Sequence, residues 1–445
     1  FAKMTDLPQP DIDSYTLDNG IKCFLLEDHE LPLIKVMLRV RSGQIEVPAG
    51  KKGLAEITAR VMRSGGSKRY PGKKLNKILE NHAAHLNISF GMSSGRASLN
   101  VLSKDINHLL PVFVNVLRQP EFPQEKIDLA KKKLRTRISR RNDKQQGIAF
   151  RKFKKLVYGK NSDYARVPEY DTVDSITRED LEQFQTNALQ GRKMILGIVG
   201  DFDSKKMKKT LNKAFAGFSP NIDGNKKFKE NFSKVEQNKQ KTWNLVNKAG
   251  VNQSFILLGH KGGFRNNPDY AKLQVMNKIL SGGFSGRLFE KIRTKKGLAY
   301  AVFGKYACNY FYPGSFFVGL KTKTARTKEA IAQVQQEVKR LQEGGVTPKE
   351  LQQAKSQFNN SLVFRYSSSD KIMSRMLYYK YRNMPRDSLQ KLVREIGNVS
   401  AQDVQEVARE YIHPDRLQIL VVGEKDKVYP QLQELGEVNI LELEP

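Results

Sequence analysis

The stretch GLAEITARVMRSGG, from Gly53 to Gly66, places Glu56 and Arg60 four residues apart in an apolar-periodic run that stops on a double glycine. That pattern predicts a helix with a glycine stop. The i, i+4 spacing brings the carboxylate and the guanidinium to one face as a surface ion pair. A metal-binding helix would need imidazole, thiolate or carboxylate donors there, and a guanidinium is permanently cationic with no lone pair to give. The six histidines are His29, His82, His85, His108, His260 and His413. Only His82 and His85 lie close together, in ENHAAHLNI across a predicted helix-to-strand turn, and their expected roles are surface or capping ones. Cys23 and Cys308 make neither a disulfide framework nor a cysteine metal cluster. No Gly-x-Ser-x-Gly elbow or cysteine nucleophile context is present.

A second stretch with chemical potential is LSGGFSGRLFEKIRTKKGLAYAVFGKY, from Leu280 to Tyr306. Its glycines, Gly282, Gly283 and Gly286, match neither GxGxxG nor GxxxxGK[ST], so a helix stop and restart is expected instead of a phosphate loop. Arg293 and Tyr300 stand out within it. An arginine fork can donate to a peptide carbonyl or carboxylate, and a phenol can hydrogen-bond a carbonyl whose charge grows during attack. Taken singly, the two would read as one more cation on a basic helix and a strand aromatic in the core.

The elements that carry these stretches occur twice. Ser64-Gly65-Gly66 closes the first helix and Ser281-Gly282-Gly283 closes YAKLQVMNKIL, 217 residues later. ITREDLEQF followed by MILGIVGDF recurs as VSAQDVQEV followed by LQILVVGEK, with Gly200 and Gly423 separated by 223. A period this long means two copies of one domain and not a solenoid. The expected division is a first domain over 1–217, a linker over 218–241 and a second domain over 242–445. In each copy, strands and helices come in blocks. The expected class is therefore α+β, with a mixed or mostly antiparallel sheet and helices on one face. A chain of 445 residues agrees with two such units.

Lys and Arg number 77 against 46 Asp and Glu, a formal net charge of +31. Such a field attracts anions. The basic residues are nevertheless scattered through helices such as KKKLRTRISRR without interleaved aromatics, which argues against nucleic-acid recognition and for solvated faces. No apolar run approaches the roughly 20 residues of a membrane helix, so no membrane partner is expected. The chain opens on Phe1 without an initiator Met, the pattern of a processed exported protein or equally of a trimmed chain.

Taken whole, Arg287-Leu288-Phe289, Arg293 and Gly297-Leu298-Ala299-Tyr300 resemble the second-domain signature of the insulinase and pitrilysin family of zinc metallopeptidases. YTLDNGIKCFLLED resembles that family's opening strand, GVTPKELQQAKSQF its late helix entry, and GLAEITARVMRSGG stands where it carries its metal helix. The resemblance covers nearly the full chain and implies two α/β roll domains in tandem, clamshell-like. Active members carry an inverted His-x-x-Glu-His. Here Glu56 falls at the first histidine, Ala59 at the glutamate base and Arg60 at the second histidine, while the distant third ligand falls at Ala130. The resemblance thus implies a chain with no catalytic residues and no metal or other cofactor of its own. In two-subunit members, the subunit that loses the zinc motif keeps an Arg and a Tyr that contact substrate beside its partner's zinc. Arg293 and Tyr300 match those positions.

The implied function is a non-catalytic, substrate-binding subunit that pairs with a catalytic homologous subunit to enclose a peptide, with zinc in the partner. The chain's positive field would favour acidic peptides. A homodimer when alone is compatible with this, and a proteolytically inactive scaffold is the alternative. A bacterial periplasmic or exported location is expected, with a cytoplasmic one as the alternative.

Overall fold

The computed structural model describes residues 11–220 and 234–444. Part of the expected linker, residues 221–233, therefore lies outside the described residues. Two compact units are present. The first comprises Phe1–Ile138, Val167–Asn231 and Val363–Arg386, and the second Ser139–Arg166, Phe232–Leu362 and Asp387–Pro445.

The first unit is built on a six-stranded sheet of β1 (Asp13–Thr16), β2 (Lys22–Glu27), β3 (Leu33–Val40), β4 (His85–Phe90), β5 (Gly95–Leu102) and β6 (Met194–Gly200), in the order β1-β2-β6-β3-β5-β4. Only β2 and β6 run parallel. Strand β3, LIKVMLRV, sends Ile34, Val36, Leu38 and Val40 into the core by simple alternation. Against that face lie α1 (Leu54–Gly65), α2 (Gly72–Asn81), α3 (Ile106–Arg118), α4 (Gln124–Ser139), α6 (Tyr170–Asp174), α7 (Arg178–Ala188) and α8 (Ser204–Phe215), whose apolar residues join one core.

The second unit repeats the plan with β7 (Thr242–Asn247), β8 (Gln253–Lys261), β10 (Ala301–Tyr306), β12 (Ser315–Lys323), β13 (Gln418–Gly423) and β14 (Val438–Leu441), in the order β10-β12-β8-β13-β7-β14. Strands β9 (Gly263–Phe264) and β11 (Cys308–Asn309) form a small separate pair. The duplication is exact in topology over five strands: β2-β6-β3-β5-β4 answers β7-β13-β8-β12-β10, and the closing strand is parallel to the first in both. Only the sixth strand differs, supplied by the N-terminal segment in one sheet and the C-terminal segment in the other. The helices of this unit are α5 (Gln145–Tyr158), α9 (Tyr270–Ser281), α10 (Thr327–Glu343), α11 (Pro348–Val363), α13 (Ser388–Asn398), α14 (Ala401–Tyr411) and α15 (Lys425–Gln433).

The two units do not follow the linear halves, because each takes one helix from the other half. Helix α12 (Ser369–Arg382), from the second half, packs on β6, β2 and β3 on the sheet face opposite the other helices. Gly197 makes this possible, since a Cβ there would sit 2.7 Å from Met373 Sδ. Helix α5, from the first half, packs on β8 and β13 of the second unit through Ile148, Ala149 and Phe153. Its Gln145 Nε2 donates to the carbonyls of Gln253, at 2.6 Å, and Val422, at 3.0 Å. Covering both faces explains why β6 (MILGIVG) and β13 (QILVVG) are buried at every position and, after Gln418, read as apolar runs.

Candidate functional site

Helix α1 begins after Gly53, whose φ of +113° is open to glycine and strained for other residues, and ends at Gly66. Its Leu54, Ile57, Val61 and Met62 face the core, which turns Glu56 and Arg60 to the rim. The pair forms as the spacing predicts, with Arg60 Nη2 at 3.4 Å from Glu56 Oε1. A second guanidinium, Arg137 on α4, grips the same carboxylate in bidentate fashion at 2.8 and 2.6 Å. Ala59 and Ala130 do not take part, being core residues at 4% and 2% exposure. The α4 side chain that reaches Glu56 is Arg137.

One carboxylate held between two permanent cations does not fit zinc. A dication placed there would meet two guanidiniums and displace the only anionic donor's partners. Among the described residues, no group of three or more His, Cys, Asp and Glu is arranged to hold a metal. His82 ends α2 and places Nδ1 3.0 Å from Asp105 Oδ1, and its ring lies 5.2 Å from that of His108. His85 opens β4 on the exposed side. His260 is fully buried, accepts at Nε2 from the His413 backbone N–H at 3.0 Å, and faces the Lys261 carbonyl through Nδ1 at 2.7 Å. That pattern fixes a neutral imidazole with the proton on Nδ1. Burial pushes its pKa down to about 4.

In the second unit, the stretch from Leu280 to Tyr306 breaks after α9 into a tight turn and a π-helical segment, Leu288–Lys295, before β10. Arg287, 6% exposed, donates through Nε and Nη2 to Glu350 at 2.7 and 2.9 Å, and through Nη2 to the Gly345 carbonyl at 2.7 Å. Glu350 also caps α11: its carboxylate accepts from Thr347 N–H at 2.9 Å, while Thr347 Oγ1 accepts from Glu350 N–H at 3.2 Å. Burial alone would raise this carboxyl, but the Arg287 and Thr347 hydrogen bonds bring it down to about 2. The Arg-Leu-Phe element and the GVTPKE turn are therefore two ends of one ion pair, buried on the arginine side and half-buried on the carboxylate side. Spacing could not join them, although T-x-x-E announces the cap.

Arg293 and Tyr300 both face solvent. Tyr300 is 51% exposed, which removes it from the core, and its backbone N–H donates to the Lys321 carbonyl at 2.8 Å at the head of β10. Arg293 lies over the Phe289 ring, 4.8 Å from its centroid, and Phe289 packs edge-on against Phe284, 83% exposed. Strand β10 is an edge of its sheet, as β4 is of the other. The sequence singled out the arginine and tyrosine but not Phe284, whose exposure follows from its place in a glycine turn. Among the described residues, no helix is long and apolar enough to cross a membrane.

Comparison with known proteins agrees with this picture. The model of the Insulinase family (Peptidase family M16) matches residues 24–165, and that of the Peptidase M16 inactive domain matches residues 175–358. A non-peptidase homologue, YmxG, of Helicobacter pylori (strain ATCC 700392 / 26695) is 24% identical over 90% of this chain and 91% of its own. YmxG of Bacillus subtilis (strain 168), described as an uncharacterized zinc protease, is 22% identical over 91% of this chain and 96% of its own. The crystal structure of a peptidase M16 inactive domain from Pseudomonas fluorescens superposes with a TM-score of 0.82 at 21% identity, covering 93% of this chain and 98% of that one. With the two family models spanning most of its length between them, the chain belongs to peptidase family M16 as an inactive homologue.

Proposed function

We propose that the chain is the non-catalytic, peptide-binding subunit of a two-subunit M16 metallopeptidase, pairing with an active homologue that holds the zinc. The observation that carries this reading is that Arg293 and Tyr300 face solvent close to β10, an edge strand of its sheet. A substrate segment can add to such an edge through backbone hydrogen bonds with little sequence demand. Arg293, oriented by Phe289, then donates to a substrate carbonyl or carboxylate, and the Tyr300 hydroxyl supports a carbonyl during attack in the partner's site. An exported or periplasmic setting goes with this reading, as does self-association when the partner is absent.

The test is co-purification from the native source, followed by peptidase assays of the chain alone and with the co-eluting homologue. Peptide turnover is expected only from the pair. Arg293→Ala and Tyr300→Phe should each lower kcat/KM about tenfold or more, without loss of pairing. Unchanged turnover would favour the alternative, an inactive scaffold that uses the same fold.

A further inference from the structure

On the face of the first sheet opposite the core, α12 covers β6, β2 and part of β3 and leaves β5 and β4 open. Across β4, β5 and β3 the register aligns His85 with Asn100 and Lys35, Asn87 with Ser98 and Met37, and Ser89 with Arg96 and Arg39. These residues all project to the side opposite the core, because Leu86, Phe90, Ala97, Leu99 and Val101 alternate with them into it. His85, Asn87, Ser89 and Arg96 are exposed. A half-open sheet floored by Ser and Asn, with the Asn100 Oδ1 buried and lacking a hydrogen-bond partner, is a surface prepared for polar contacts.

One corner of this floor carries an electrostatic cost. Arg39 and Arg96 stand directly opposite in an antiparallel pair, an arrangement that is destabilising for like charges. Arg39 is only 7% exposed, yet among the described residues no carboxylate is bonded to Arg39, Arg41 or Arg96. Arg39 is held by ring faces, 5.8 Å from the Tyr378 centroid and 5.4 Å from that of Tyr381. Arg41 lies 5.4 Å from Tyr381 and donates to the Lys380 carbonyl and to Asn383 Oδ1 at the end of α12. Burial, and then the nearby Arg96, push the Arg39 guanidinium down to about 10, so this corner is short of negative charge. At the other end of the same strands, Lys35 and Asn100 border a cavity of about 550 Å³ whose apolar wall includes Leu33, Ile34, Val101 and Ile372. Four residues of strand separate the two ends, roughly 13 Å.

We propose that this half-open face is a carboxylate-reading peptide subsite, in which the exposed Arg96, with Arg39 behind it at the edge of α12, anchors an acidic side chain or a free C-terminus of a peptide and the cavity takes an apolar side chain about four residues away. The proposal rests on the peptide-binding reading above and gives it a ligand class. A carboxylate at the Arg39–Arg96 corner relieves the like-charge pair, and the tyrosine faces keep the buried fork oriented for it.

The test uses the full chain and fluorescence anisotropy at 0.15 M salt. The probes are a labelled, C-terminally amidated peptide with Phe and Asp four positions apart, its Asp→Asn version, and the Asn version with a free C-terminal carboxylate. The Asp peptide is expected to bind at least tenfold more tightly than its amidated Asn version, and recovery by the free acid would identify the terminus as a second source. Arg96→Gln and Arg39→Met should each remove that preference, while Lys132→Gln on α4, with the same charge change, should keep it. Arg96→Gln should also leave the denaturation midpoint unchanged or raise it, which a merely structural arginine would not. Equal loss in Lys132→Gln, or equal binding of the Asp and Asn peptides, overturns the subsite and leaves peptide binding standing. Binding of no peptide at all would overturn both.

Discussion

The two arginines around Glu56 lead to a quantitative prediction about metal binding. Glu56→His with Arg60→His places two imidazoles at i, i+4 on the rim of α1, a spacing that suits a divalent ion. Arg137 would remain, and its present reach of 2.6 Å to the Glu56 carboxylate puts the guanidinium beside any ion bound there. At about 5 Å and an effective dielectric of about 20, a dication and a guanidinium repel by roughly 6 to 7 kcal/mol. Arg137 is 57% exposed, so screening and side-chain swing remove at least half of that, leaving on the order of 3 kcal/mol. The double variant should therefore bind zinc weakly. Adding Arg137→Ala should tighten it about a hundredfold, and Arg137→Glu further still, since it removes a cation and adds a ligand. Zinc competition against a chromogenic chelator measures this without any activity. If the variant keeping Arg137 matched the one carrying Arg137→Ala, the reasoning that a permanent cation closes this helix to metal would be wrong.

Two other perturbations test the framework. Arg287→Met strands the half-buried Glu350 carboxylate and should cost about 2 kcal/mol, read as a lower urea midpoint, while Glu350→Gln, which keeps part of the α11 cap, should cost less. A loss below about 1 kcal/mol for Arg287→Met would show that the pair does not hold the signature in place. His260 has a folded pKa of about 4 against an ordinary 6.5, so between those values the unfolded chain binds a proton that the native chain does not. Its stability contribution is complete above pH 6.5 and lost as pH falls toward 4, about 2 kcal/mol between pH 7 and 5. The lowered His413 adds in the same direction and the raised, exposed His29 opposes it. His260→Gln should flatten the dependence of unfolding free energy on pH over this window, and an unaltered slope would refute the assignment.

Much of this architecture is legible in the sequence because duplication leaves landmarks that chemistry preserves, such as the closing apolar strands that end at Gly200 and Gly423. The helix exchange is not legible. The periodicity of α12 says that Met373 and Leu377 are buried, but the burial of a face carries no label for the sheet that covers it. The grip of Arg137 on Glu56 is hidden in the same way, since the two lie 81 residues apart on different helices. Arg293 and Tyr300 were recognisable as residue types in a motif, whereas their exposure depends on the π-helical segment and the sheet edge, which are tertiary facts. The Arg39–Arg96 juxtaposition was hidden for the same reason, since strand register sets it between residues 57 apart.

The exchange of α5 and α12 also bears on how such a gene can be divided. The backbone passes between the two units at five points, of which the segment between the halves is one. Splitting the coding sequence there would yield two polypeptides, each carrying the helix that closes the other's sheet. Neither product would be a finished domain by itself, and the pair would have to be made together to assemble. Fission of this gene would therefore produce an obligate heterodimer in a single step.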